Sequence, residues 1–275
     1  MAVHILVPLD NSAYCASASE IALQIAAAQP SRVTALRVVN VRPKSGNILD
    51  DLSGHLGFEP AVVPEDVARE RDNEAAAMVS DWVQRARERG IEAHGSVEVG
   101  GVAQTVKKYA ADADLVVMGL RGETEERFPK QGGEMAGWIT QQVNISVLFG
   151  TPEANAITNV AVGYDGSEGA RHAVREVRRF LAPLGIPIHA VYVSKDGSGD
   201  EALSEVDEQL PDSTVHHHVV RGESVEEALI DKAIELNAEV LVLGFQGRNA
   251  VKDFLFGTCT ERVLLSGQLA VMVTH

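Results

Sequence analysis

The residues that are best suited to bind a ligand form a Gly-x2-Gly-x9-Gly-Thr pattern near the end of the chain. The pattern consists of Gly244, Gly247, Gly257 and Thr258. Glycine lets a backbone approach an anion closely. The residues that follow predict a helix from Thr260 to Leu265, whose free N–H groups and positive dipole end would face that anion. We therefore expect a phosphate cradle, with the threonine hydroxyl directed at a phosphate or a metal-bound water.

Two predicted strands position this cradle. One is a Val-Leu-Val-Leu run that ends at Gly244, and the other leads into an Asp-x-Ser motif at Asp165. Short strands rich in Val, Ile and Leu, with little alternation, are typical of a parallel sheet that is covered on both faces. Ligands of such sheets bind beyond the carboxyl ends of the strands, at the topological switch point. We therefore expect Asp165 and Gly244 to belong to one site.

The chain contains an internal duplication. Residues 4–12 resemble residues 159–167, and residues 115–122 resemble residues 240–247. Each copy alternates strands with helices, which predicts a doubly wound α/β fold. The expected architecture is two tandem Rossmann-like domains, each a five-stranded parallel sheet with helices on both faces.

The boundary between the copies is predicted where Gly, Pro and small polar residues follow a closing strand. This gives domains of 1–152 and 153–275, each of ordinary size. The closing strands of the copies are expected at Ile145 to Phe149 and at Ala270 to Thr274. We expect these two strands to pair antiparallel within one chain, as an intramolecular pseudo-dimer. A homodimer of whole chains stays open.

The glycine pattern, with its preceding strand, Asp165 and a Gly222 turn before a helix, resembles the universal stress protein family over nearly the whole chain. The resemblance implies ATP as the ligand, with a divalent metal that we expect to be Mg²⁺. It places the ribose or adenine end at Asp165, the adenine beside Val193, and the phosphates along the glycine loop, with Arg248 as an extra phosphate partner. The full predicted set is Tyr164, Asp165, Val193, Leu243, Gly244, Gly247, Arg248, Gly257, Thr258 and Cys259.

The N-terminal copy departs from this pattern. It keeps the glycine spacing, but Gly133 stands where the family has Ser or Thr, and carboxylates follow the second glycine. The residues concerned are Gly119, Gly122, Gly132, Gly133, Glu123, Glu125 and Glu126. Like charges a few ångströms apart cost about 1–4 kcal/mol, so we predict weak ATP binding or none. For Asp10, which this copy retains, capping of the following helix is the favoured role.

The charge, the cysteine count and the apolar runs of the chain disfavour several classes of function. The net charge of -15 disfavours nucleic-acid binding. The two cysteines form no disulfide framework and no CxxC metal pair, which fits a reducing compartment. No apolar run approaches the roughly 20 residues that cross a bilayer, and the first ten residues do not build a signal sequence. We therefore expect a soluble, cytoplasmic protein without membrane contact.

Three other features have ordinary interpretations. The run His216, His217 and His218 falls in a predicted strand, so its side chains alternate between faces and an edge or solvated position is favoured over a metal site. Cys259 at a helix start could have a lowered pKa, but a packing role is favoured over a redox role. Met78 and Trp82 lie on the apolar face of a predicted helix with Ala75, Val79, Val83 and Ala86, and are expected in the core.

Three functions follow from these observations. The first is a non-catalytic module of a stress response that senses or holds ATP and acts on an unknown protein partner. The second is a slow ATPase or nucleotidyl transferase, although the chain has no Walker Gly-Lys-[Ser/Thr] motif. The third is a nucleotide-free adaptor, which the altered N-terminal copy keeps open.

Overall fold

The computed structural model describes residues 2–39, 65–123, 134–153, 156–195, 200–245 and 259–275. The N-terminal half contains β1 (Val3–Leu9), α1 (Ala13–Ala27), β2 (Ser31–Val39), α2 (Glu65–Glu88), β3 (Glu92–Val99), α3 (Val102–Ala110), β4 (Leu115–Gly119), α4 (Glu134–Gln142) and β5 (Ser146–Gly150). The C-terminal half contains β6 (Val160–Gly163), α5 (Glu168–Glu176), β7 (Ile188–Ser194), α6 (Asp200–Gln209), β8 (Val215–Arg221), α7 (Val225–Glu235), β9 (Val240–Gly244), α8 (Cys259–Ser266) and β10 (Ala270–Thr274). None of these helices is both long and apolar enough to span a bilayer.

The strands form one ten-stranded sheet in the order β3-β2-β1-β4-β5-β10-β9-β6-β7-β8. Neighbouring strands are parallel within each half. The two halves meet where β5 and β10 pair antiparallel, with Leu148 opposite Met272 at the centre of the register. This confirms the predicted α/β architecture and the predicted pairing of the two closing strands.

The duplication is visible in hydrogen bonds that recur at equivalent positions. The Asp114 N–H donates to the His4 carbonyl, and the Glu239 N–H donates to the Asn159 carbonyl. At the opposite ends of the strands, the Gly100 N–H donates to the Val39 carbonyl, as the Gly222 N–H does to the Ser194 carbonyl. In the same way, the Leu120 N–H donates to the Gly150 carbonyl, as the Phe245 N–H does to the Thr274 carbonyl. The backbone of one copy is thus repeated in the other, although most side chains differ.

Two apolar layers cover the sheet, and each runs through both halves. The layer with α1, α2, α5 and α6 includes Trp82 and Phe180, while the layer with α3, α4, α7 and α8 includes Ile139 and Phe149. The predicted apolar face of α2 is confirmed, since its members are buried except for Met78, which packs against the first layer partly covered. The two halves therefore share their cores as well as their sheet.

Contacts between the halves also lie beside the sheet. The Gln24 side chain on α1 donates to the Ile157 carbonyl at 2.7 Å and accepts from the Ile157 N–H at 2.7 Å. The Ser146 hydroxyl donates to Glu176 at 2.6 Å, and Asp114 pairs with Arg179. The Gln24 contacts fix the start of the C-terminal copy against α1, and the other two hold the end of α5 and the residues after it against the N-terminal copy.

Truncation at the β5–β10 junction should cost far more stability than truncation at the sheet edge. Phe149 is fully buried, so Phe149→Ala should lower the free energy of unfolding by about 3–5 kcal/mol. The matched control is Val99→Ala, because Val99 is 60% exposed on edge strand β3 and its truncation should change stability by about 0.5 kcal/mol or less. Urea denaturation of both variants checks this, and equal losses would contradict the buried junction.

Candidate functional site

The site predicted from the sequence is assembled by the strand order. Strand β6 lies between β9 and β7, and the chain leaves β6 toward β7 but returns to β9 on its other side. This reversal is the topological switch point, where the ends of two neighbouring strands leave a crevice. Asp165 follows β6 and Gly244 ends β9, so the structure brings these two predicted residues to the same crevice.

Gly244 is required by a close backbone contact. A β-carbon at this position would overlap the backbone of Gly169 in the first turn of α5. The equivalent contact in the N-terminal half joins Gly119 to the backbone of Tyr14 and Cys15, where a β-carbon would come within 2.9 Å of the Cys15 nitrogen. In both halves, a glycine at the strand end lets the first helix approach the switch point.

Asp165 is an exposed carboxylate at the entrance to the crevice. Its Oδ1 accepts the Ser167 N–H at 2.9 Å. The N-cap of α5 is Ser167, whose hydroxyl accepts the Ala170 N–H, and the N-cap of α1 is Ser12. The capping role predicted for Asp10 was therefore wrong. In each Asp-x-Ser motif, the serine lies next to the first helical residue and can reach the free N–H groups, while the aspartate lies two residues too early.

Tyr164 directs its side chain away from solvent. The ring is 2% exposed and its hydroxyl donates to Glu205 at 2.6 Å. Glu205 also accepts from Arg171 at 2.9 Å, so the three side chains tie α5 to α6 behind the strand end. Burial and the Glu205 carboxylate raise the pKa of Tyr164 to about 12. Only the backbone of Tyr164 remains at the strand end for a ligand.

Val193 and Leu243 form the apolar wall beside the crevice. Leu243 is buried and lies over Gly163, together with Leu229 of α7. Val193 is partly exposed and lies next to Gly222, where the chain turns into α7. Val193 is the accessible member of this pair, and the place of the adenine beside it stays a prediction.

Cys259 is the first residue of α8 and lies near charged groups of three elements. The carboxylates of Asp165 and Glu226 both act on its thiol, and Arg262 opposes them. Burial is the main cause that raises the pKa of Cys259 to about 11, followed by Glu226. The side chain packs against the apolar layer of α7 and α8, in agreement with the packing role favoured from the sequence.

Glu226 and Arg262 form an ion pair between α7 and α8, next to Cys259. The Glu226 side chain is only 15% exposed. Its pKa is lowered chiefly by the backbone N–H at the start of α7, and also by Arg262. The first turns of α7 and α8 are thereby held together at the crevice. The remaining predicted residues, Gly247, Arg248, Gly257 and Thr258, lie outside the described residues.

The equivalent crevice of the N-terminal half is filled by its own side chains. Asp10 is half-buried and accepts the Glu123 N–H at 3.0 Å, the Ser12 N–H at 2.9 Å and the Ser12 hydroxyl at 2.6 Å. The Arg37 guanidinium donates to the Leu9 carbonyl and approaches the Glu123 carboxylate to 3.9 Å. Gly132 and Gly133, with Glu125 and Glu126, lie outside the described residues. Among the described residues, Asp10 is therefore more enclosed than Asp165, which is exposed.

Aromatic cover adds to this closure. The Arg121 guanidinium lies 5.9 Å from the centre of the Tyr14 ring. By the offsets of the duplication, the position of Tyr14 is taken by Gly169 in the C-terminal half, and the position of Arg37 by Tyr192.

Sequence reasoning missed Gly169, Arg37 and the Glu226–Arg262 pair. The aligned copies held a signal for the first two, because they are positions at which one copy is large or charged and the other is not.

Comparisons with known proteins agree with the fold. The model of the universal stress protein family matches residues 1–131 and 156–275. Universal stress protein Slr1230 of Synechocystis sp. is 21% identical over 286 residues, covering 98% of each chain. A universal stress protein structure from Archaeoglobus fulgidus has a TM-score of 0.74 at 20% identity, covering 98% of this chain and 95% of that one. A structure described as a putative universal stress protein from Pseudomonas aeruginosa has a TM-score of 0.66 at 15% identity, covering 99% and 93%.

The two equivalent aspartates should differ in their importance for stability. Asp10→Ala removes the acceptor of three hydrogen bonds, one of them across the crevice, and should cost about 1–3 kcal/mol. Asp165→Ala removes an exposed acceptor and should cost about 0.5 kcal/mol. Urea denaturation of this matched pair measures the difference. A larger loss for Asp165→Ala would show that the C-terminal crevice is the closed one.

The thiol of Cys259 should be unreactive at neutral pH. With a pKa of about 11, it holds roughly 100-fold less thiolate near pH 8 than an ordinary cysteine. Iodoacetamide should therefore alkylate the folded protein at least about 100-fold more slowly than the urea-unfolded chain. Cys259→Ser separates its rate from that of buried Cys15. Rapid alkylation of Cys259 at pH 7 would restore the redox interpretation.

Proposed function

Because this chain belongs to the universal stress protein family, we propose that its C-terminal half binds ATP with Mg²⁺ and that the protein is a non-catalytic, nucleotide-binding module of a stress response. The observation that carries the proposal is the contrast between the two crevices. Asp165 is exposed beside Gly244 and Gly169, whereas Asp10 is covered by Glu123 and the crevice by Tyr14. Among the described residues, Asp165 is therefore the aspartate whose carboxylate is more accessible to a ligand.

The nucleoside end suits the described residues of the C-terminal crevice. Asp165 offers a carboxylate that can accept hydrogen bonds from ribose hydroxyls or an exocyclic amine, and partly exposed Val193 offers an apolar contact for the base. Bases in proteins are commonly bound between such apolar surfaces and a few placed polar groups. The Asp10 carboxylate already accepts three hydrogen bonds within the protein, which leaves it less acceptor capacity for a ligand than Asp165 has.

The triphosphate is assigned to the start of α8 and the glycine loop that precedes it. The first N–H groups of a helix lack partners within the helix and attract anions, and α8 begins at Cys259, directly after Thr258. Among the described residues, no three His, Cys, Asp or Glu side chains are arranged to hold a metal ion. Mg²⁺ would therefore be held mainly by phosphate oxygens and water, as is usual for this ion. The metal would offset part of the repulsion between ATP and a chain of net charge -15.

A non-catalytic role agrees with the groups that surround the crevice. The Cys259 thiol is protonated at neutral pH because its pKa is about 11. Glu226 is ion-paired to Arg262, and the Tyr164 hydroxyl is bound to Glu205. These side chains hold the scaffold and are not poised to attack a phosphate or activate water. Both cysteines are free thiols, which fits a cytoplasmic protein.

Calorimetry with nucleotide-stripped protein tests the proposal. Wild-type protein should bind one equivalent of MgATP, and Gly257→Val/Thr258→Val should abolish binding because methyl groups block the phosphate loop. The matched control is Gly132→Val/Gly133→Val, which alters the same loop of the closed copy and should leave ATP affinity unchanged. ATP at about 100 times its Kd should also stabilise the wild type by roughly 2.7 kcal/mol.

Each other outcome is informative. Binding of two equivalents would mean that the Asp10 crevice opens for the nucleotide. No binding by folded wild-type protein would reject the ATP proposal and favour an adaptor. Steady release of phosphate during the same incubation, lost in Gly257→Val/Thr258→Val, would contradict the non-catalytic part and favour a slow ATPase.

A further inference from the structure

Three histidines meet on one face of the sheet at its C-terminal edge. His189 of β7 is paired in register with His216 of β8, and His218 is the next residue of β8 on that face. The rings of His189 and His216 are stacked with centroids 5.1 Å apart, and those of His189 and His218 are 5.2 Å apart. His217 points to the opposite face, where it lies 3.2 Å from Asp207 of α6. We call His189, His216 and His218 the histidine cluster.

The hydrogen bonds define where the protons of the cluster lie. His189 Nε2 faces the Asn159 Oδ1 at 3.4 Å, and the His189 tautomer with its hydrogen on Nε2 is the one that can donate to this oxygen. In neutral His189, Nδ1 is then an acceptor, and His218 Nε2 donates to it at 3.1 Å. If both rings were protonated, the N–H at His189 Nδ1 and the N–H at His218 Nε2 would point at each other and repel. The folded arrangement therefore holds at most one added proton on this pair.

The surroundings disfavour even the first added proton. His189 is 9% exposed, and burial is the main cause that lowers the pKa of both His189 and His218. Lys232 of α7 lowers both further, and protonation of His216 would add to this effect. Glu235 of α7 acts in the other direction on His218, but it lies 2.7 Å from the Lys232 ammonium and is 68% exposed. His217, on the far face, lowers the pKa of His218 slightly.

The helix that covers the cluster also forms part of the candidate site. Lys232 and Glu235 lie in the last turns of α7, above the histidines. The first turns of the same helix carry Glu226, which pairs with Arg262, and Leu229, which packs near Gly163. Positive charge on the histidines beneath the last turns of α7 therefore acts on a helix whose first turns border the candidate nucleotide crevice.

We propose that the histidine cluster is an acid-responsive device, whose protonation loosens α7 and edge strand β8 from the sheet. The direction follows from linkage. The folded protein binds protons at His189 and His218 less readily than the unfolded chain, in which the pKa of histidine is near 6.5. Stability that is present above this pH is lost as the pH falls below it. The device does not depend on ATP binding, so it survives or fails independently of the function proposed above.

Hydrogen–deuterium exchange of the full chain tests the proposal. Between about pH 7.5 and about pH 5.5, after correction for intrinsic exchange, protection of residues 215–221 and 225–235 should fall at least about tenfold. Residues 92–99 and 102–110, which form the equivalent strand and helix of the other half, should change far less. The double variant His216→Gln/His218→Gln should keep wild-type protection near pH 7.5 and lose the acid response.

Two further variants keep the test decisive. His94→Gln changes an exposed histidine on edge strand β3 and should leave the acid response intact. Lys232→Gln keeps all three rings but removes the neighbouring cation, so the fall in protection should be smaller than in the wild type, while the part due to burial remains. This variant carries the test if the double variant does not fold.

Three results would overturn the proposal. One is a wild-type protein without selective loss of protection in acid. The second is an unchanged acid response in both His216→Gln/His218→Gln and Lys232→Gln. The third is a rise in Tm with ZnCl2 near pH 7.5 that disappears in His218→Gln, which would assign the cluster to a metal instead.

Discussion

The antiparallel pairing of β5 with β10 is the constraint on which the rest of the molecule depends. Both strands are apolar and buried on both faces, so neither could remain as an open edge without exposing unpaired backbone groups and apolar side chains. Their pairing merges two parallel sheets into one and makes both apolar layers continuous. The strands of the two halves then run in opposite directions. The carboxyl ends of the two sets of strands, and with them the two crevices, therefore lie at opposite ends of the strands and not on the same side.

The two copies share their backbone arrangement but differ in the side chains at their switch points. The hydrogen bonds at the strand ends and the glycine contacts of Gly119 and Gly244 recur in both halves. At the switch points, Tyr14 and Arg37 of one copy correspond to Gly169 and Tyr192 of the other. Of the first pair, Tyr14 lies beside Arg121, and Arg37 lies near the carboxylate of Glu123, whose backbone N–H donates to Asp10. Among the described residues, the two switch points therefore differ in their side chains and not in their topology.

The strands, the duplication and the pairing of the halves could be predicted because continuous apolar runs and two constant offsets are local or periodic signals. The roles of single side chains could not. The Asp-x-Ser motif offers two residues able to cap, and only the backbone geometry shows that Ser12 and Ser167 do so. The contact of His189 with His218 depends on the register of two strands separated by α6. The approach of Arg37 to Glu123 joins residues far apart in the chain.

The most direct test of the account is a crystal structure of the protein grown with a non-hydrolysable ATP analogue and Mg²⁺. We expect nucleotide density in the C-terminal crevice, with the base beside Val193, the ribose near Asp165 and the phosphates over the start of α8. Asp10 should keep its hydrogen bonds to Ser12 and Glu123, with no density beside it. Nucleotide bound at Asp10, or bound in neither crevice under saturating conditions, would contradict the assignment of one open and one closed copy.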